Sequence, residues 1–130
     1  MTDTRSTFRW TILTFVLALL VAGGAALAAE MGQADADFMT AEVEGSKVWK
    51  GGGTTDLKGR STPLTLKVSN PLAAEHGFAI DTMKVKDVIK PGETKTITVP
   101  LENIDQSVSE HRVYCQLHPK HVAATLKVTK

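Results

Sequence analysis

Leu64-Thr65-Leu66-Lys67-Val68-Ser69-Asn70-Pro71 alternates apolar and polar side chains and then stops at an Asn-Pro pair. A period of two puts Leu64, Leu66 and Val68 on one face of an extended chain and Thr65, Lys67 and Ser69 on the other, the pattern of a half-buried strand. The same alternation returns over residues 83–89, in Ile97 and Val99 opposed to Thr94, Thr96 and Thr98, and in Ala124, Leu126 and Val128. Residues 77–81 are short and apolar, Val113-Tyr114-Cys115 is a further β run, and residues 40–49, with Val43, Val48 and Trp49, read as a first strand or broken hairpin. Pro91-Gly92 is a turn dipeptide. The polar, Gly-rich stretch 51–60 predicts a mobile loop, and residues 102–110 leave room for a helical turn. About seven short strands with turns every 8–12 residues predict an all-β fold, a small antiparallel sandwich.

The 130 residues suffice for one domain with an appendage, and 42% hydrophobic residues suffice for a packed core. After residue 30, Lys and Arg are interspersed with Asp and Glu, which leaves no nucleic-acid footprint. A single cysteine excludes an intramolecular disulfide. Arg5 and Arg9 precede an apolar run over residues 10–21, and Ala26-Leu27-Ala28 has the small-x-small form of a signal cleavage site. Residues 1–29 are therefore expected to be a signal peptide or, uncleaved, an N-terminal membrane anchor. Gly23-Gly24 and the Ala-rich end favour cleavage. Both readings put the folded part in the periplasm or another extracytoplasmic space. Residues 30–38 read as a linker and 39–130 as the domain.

Chemistry concentrates in Tyr114-Cys115-Gln116-Leu117-His118-Pro119-Lys120-His121. A thiol and two imidazoles fall within one turn between strands, where side chains can converge because the backbone is free of the sheet ladder. Pro119 stiffens that turn. His76, at the mouth of the strand that begins His76-Gly77-Phe78, is the natural remaining donor, with Glu75 ranked behind it. Cys115, His118, His121 and His76 together form a soft thiolate-imidazole set suited to one copper ion. Three imidazoles and a thiolate also satisfy tetrahedral zinc. His111 precedes the cysteine by four residues, about 13 Å along a strand, and is read as structural or surface. Gly51-Gly52-Gly53 lacks the lysine and helix of a phosphate loop, and no nucleophile–base pair or paired carboxylates can be made out.

At these residues the chain resembles the cupredoxins, whose pattern is an upstream His, then Cys-x-x-His and a further ligand. The amicyanin branch shows Cys-x-x-His-x-x-Met, with His121 here in the Met position. A closer resemblance is to the nitrosocyanins, red copper proteins of ammonia-oxidising bacteria, over roughly residues 62–130. It is carried by Cys115 to Lys120, by Gly77-Phe78-Ala79-Ile80-Asp81 and by residues 88–97. The resemblance implies a Greek-key cupredoxin-like sandwich, copper as cofactor, one-electron transfer rather than catalysis, and a redox protein partner. Two departures stand out. His76 replaces a glutamate ligand, and His121 arrives sooner along a shorter loop. Dinuclear copper sites need two cysteines and are excluded by ligand count. An imidazole in the axial place predicts a green or red centre of lowered potential. The alternatives are an open red-copper site for a small molecule such as nitric oxide, and a structural zinc domain. Copper carriage ranks lower, because Met31, Met39 and Met83 do not cluster in sequence.

Overall fold

The computed structural model describes residues 33–130. The segment expected to be a signal or anchor lies outside the described residues. Among those residues, the strands run β1 (Ala36–Val43), β2 (Ser46–Gly51), β3 (Gly53–Asp56), β4 (Leu64–Ser69), β5 (His76–Ile80), β6 (Val85–Ile89), β7 (Thr94–Val99), β8 (Glu110–Val113) and β9 (Ala124–Thr129). Short 3-10 turns cover Asp81–Met83 and Leu101–Asn103. No helix of the described residues is long and apolar enough to cross a membrane.

Sequence alternation becomes alternating burial. Leu64, Leu66 and Val68 on β4, and Ala124, Leu126 and Val128 on β9, all point into the core, while their neighbours do not. One layer is β2-β1-β4-β7. The other joins β3-β9-β8 to the β5-β6 pair, because Ala79 and Tyr114 exchange both backbone hydrogen bonds, at 2.9 and 3.0 Å. The layers bury Phe38, Leu66 and Val68 against Phe78, Ile80, Val113 and Leu126. Phe78 meets Phe38 and Trp49 edge-on, with ring centroids 5.3 and 5.2 Å away, the arrangement aromatic quadrupoles favour. β5 is buried at every position, which explains the apolar run Gly77-Phe78-Ala79-Ile80 that follows His76.

The sandwich is all-β as expected, and most of its ladders are antiparallel, but two are not. β1 runs parallel to β4, and β3 runs parallel to β9. Side-chain alternation is the same in both kinds of ladder, so it carries no strand direction. The first strand begins at Ala36, inside the stretch read as linker, and buries Phe38. Residues 40–49 form a true hairpin, turning at Glu44-Gly45. The Gly-rich stretch read as a mobile loop is instead a crossing between layers that leads into β3. Gly51, Gly52 and Gly53 all hold positive φ, and a Cβ on Gly51 would overlap the Asp37 carbonyl. The strand expected from residue 83 starts at Val85, because Met83 closes a 3-10 turn and Lys84 is left-handed at φ 53°. The helical turn expected in 102–110 lies at its near edge, over Leu101–Asn103.

His111 is structural. It is fully buried on β8, its Nδ1 lies 2.6 Å from Thr82 Oγ1, and its Nε2 has no partner among the described residues. Burial holds its pKa below the ordinary histidine value, with Asp105 opposing weakly. The fold therefore favours neutral His111. Stability is fully present above the unfolded value of about 6.5 and falls as pH drops below it, by at most about 1.4 kcal/mol per pH unit for one proton. Chemical denaturation at pH 7.5 and 5.5 should show wild type losing more stability than His111→Gln. Equal losses would show that His111 takes no part in the acid response.

Candidate metal centre

The turn after β8 winds twice. His118 N donates to Cys115 O at 3.3 Å and His121 N donates to His118 O at 3.0 Å. Each x-x spacing in Cys-x-x-His-x-x-His thus spans one backbone-bonded turn and brings the next donor back to the same side. The loop end is then fastened to β2: Val122 N donates to Lys47 O at 3.0 Å and Trp49 N donates to Val122 O at 3.1 Å. Cys115 and His76 are buried, His121 is half-buried and His118 is exposed.

One ligand atom from each of His76, Cys115, His118 and His121 lies within 4.8 Å of all the others. Cys115 Sγ is 3.6 Å from His118 Nδ1. The His118 and His121 rings stack at 4.5 Å, and His76 lies 5.1 Å from His121. His76 Nε2 and His121 Nδ1 are buried without a hydrogen-bond partner among the described residues. Buried nitrogens without partners are unfavourable by themselves, and a cation among them would satisfy both. Burial is the main cause holding His76 and His121 below their ordinary pKa, and their histidine neighbours and Lys47 add to it. Neutral imidazoles keep the lone pairs a metal needs. The residues present therefore fit a four-coordinate ion held by three imidazole nitrogens and one thiolate sulfur.

The structure brings all four sequence-predicted donors together. Glu75, ranked behind His76, precedes β5, is exposed and lies outside the group. His111 is also outside it.

Sequence reasoning missed the residues that hold the donors. Asn70, read as a strand end, is 1% exposed, and its amide ties the loop that leads to His76. Nδ2 donates to Ala74 O at 2.8 Å and Ile89 O at 3.0 Å, while Oδ1 accepts from Thr40 Oγ1 at 2.7 Å and Leu72 N at 3.2 Å. Ile89 is the cross-strand partner of His76. Trp49 Nε1 donates to Gly77 O at 2.9 Å, and Gly77 N donates to Cys115 Sγ at 3.1 Å. The Asn-Pro dipeptide was the one available signal, and it reads equally well as an ordinary turn.

No protein-family model matches the chain, and no curated protein does. Among solved structures, a laccase from Pediococcus acidilactici matches 72% of this chain at 12% identity with a TM-score of 0.45. A laccase-like multicopper oxidase from a lignin-degrading Ochrobactrum matches 73% at 19% identity with a TM-score of 0.47. A multicopper oxidase from Pediococcus acidilactici matches 72% at 15% identity with a TM-score of 0.41. The chain spans about a quarter of each, covering 25%, 26% and 25% of their lengths.

Proposed function

We propose that this chain is an exported mononuclear copper protein that passes single electrons to and from a redox protein partner. The observation that carries the reading is the convergence of the chain's only thiol and three imidazoles, with ligand atoms mutually within 4.8 Å. Bound there, copper would supply a Cu(I)/Cu(II) couple.

The chain's own residues do the rest. The thiolate is soft and supports Cu(I), while the imidazoles serve both oxidation states. The double turn, Pro119 and the ties to β2 limit movement of the donors. A set of nitrogen and sulfur donors takes Cu(II) in preference to zinc by the ordinary order of divalent affinities. Three imidazoles and a thiolate fill a four-coordinate site, which favours electron transfer over an open position for a small molecule. Exposed His118 offers an edge to a partner, and Leu117 and Val122, 41% and 53% exposed, supply an apolar rim beside it. An N-terminal signal, or an anchor if it is retained, would place the domain outside the cytoplasm.

Titration of the full chain with Cu(II), followed optically and by paramagnetic resonance, tests this. An intense thiolate-to-copper band that saturates at one equivalent, disappears in Cys115→Ala and ignores added azide is expected. An azide-shifted band would favour the open small-molecule site. Tight colourless zinc binding with no copper band would replace the reading with a structural metal domain.

A further inference from the structure

Gly77 has an ordinary strand backbone; it is absent from the residues with positive φ. Its lack of a side chain therefore answers to space rather than conformation. A methyl group built on Gly77 would overlap the Gln116 amide oxygen and sit 3.0 Å from the Gln116 backbone nitrogen. The Gln116 amide thus rests on Gly77. Its Nε2 donates to Asp87 O at 2.8 Å, which ties the Cys115 loop to β6. Its Oε1 is buried with no partner among the described residues. An apolar side chain of the same length would avoid that unsatisfied oxygen, so the amide is held there for its other end. Gly77 follows His76 directly, and its N–H is the one that donates to Cys115 Sγ.

We infer that Gln116 is a positioning residue of the centre: by clamping the Cys115 loop to β6 across Gly77, it sets how closely the Gly77 N–H approaches the thiolate. The inference rests on the metal reading above and deepens it. Partners that orient a ligand from outside the coordination set typically change metal affinity by about 10–100-fold when removed.

Two substitutions separate the hydrogen bond from the packing. Gln116→Met keeps the length and removes the amide, and Gln116→Ala removes both. Both are expected to weaken copper about tenfold or more, to shift the thiolate band, and to move the Gly77 amide proton resonance of the metal-free protein. Gly77→Ala should also weaken copper and shift the thiolate band, and Gln116→Ala added to it should cost no more than Gln116→Ala alone, because the methyl group then has room while the clamp is already gone. Should Gly77→Ala fail to fold, the two Gln116 variants decide alone. Wild-type affinity, band and Gly77 resonance in both Gln116 variants would overturn the inference. A wild-type chain with no thiolate band would instead overturn the copper reading, and the Gly77 resonance, which needs no metal, would still decide whether Gln116 acts on that N–H.

Discussion

His121→Met is expected to raise the reduction potential of the copper-loaded protein and to move its absorption towards blue. His121 stands 4.5 Å from His118 and 5.1 Å from His76, ring to ring, with a buried Nδ1 that has no partner among the described residues. An imidazole is a harder and stronger donor than a thioether, so it stabilises Cu(II) more than Cu(I) and lowers the potential. A thioether in its place relaxes that preference. One decade of lost Cu(II) preference is about 59 mV for a one-electron couple, so one to two decades give about 60–120 mV. Voltammetry with the optical spectrum of the same sample reads both effects. An unchanged potential and colour would show that His121 is not a donor, and the site would then be reassigned to His76, Cys115 and His118.

The second large effect is expected at Asn70, far from the ligands in sequence. Asn70→Ala removes an amide that serves four partners at once: Thr40 Oγ1, Leu72 N, Ala74 O and Ile89 O. Thr40 is itself buried, at 1% exposed. A buried polar group left without its partner is unfavourable by about 1–3 kcal/mol. Several such groups, partly rescued by water, put the loss at about 3 kcal/mol or more. Denaturant unfolding of the metal-free protein measures it. The same variant should hold copper more weakly, since the loop over residues 71–75 delivers His76 against Ile89. A stability loss under about 1 kcal/mol would show that the strand pairing alone holds that loop.

The donors were legible because they obey local rules. Cys115, His118 and His121 are spaced so that successive three-residue turns return them to one side, and that spacing is visible in the chain itself. His76 was legible from its place at the start of His76-Gly77-Phe78, with His111 set aside by its distance along the strand from Cys115. Glu75 was the near miss, and a single step along the chain separates a buried imidazole from an exposed carboxylate. Gln116 and Asn70 carry no such mark, because an amide acts through whichever backbone groups the fold brings to it.

The sequence by itself determined the all-β class and the buried faces of β4 and β9, because side-chain alternation follows from the geometry of one extended chain. It also pointed to the four candidate donors, Cys115, His118 and His121 through their chemistry and short spacing and His76 through its chemistry alone. Only the tertiary structure decided that β1 lies parallel to β4 and β3 parallel to β9, since pairing direction leaves no trace in alternation. It alone turned the Gly-rich stretch into a crossing between layers. It also brought Asn70, Trp49, Gly77 and Gln116 around the donors. Trp49 meets Gly77 across 28 positions of sequence and from the opposite layer, and Gly77 meets Cys115 across 38 within one layer, so these hydrogen bonds exist only once distant strands have come together.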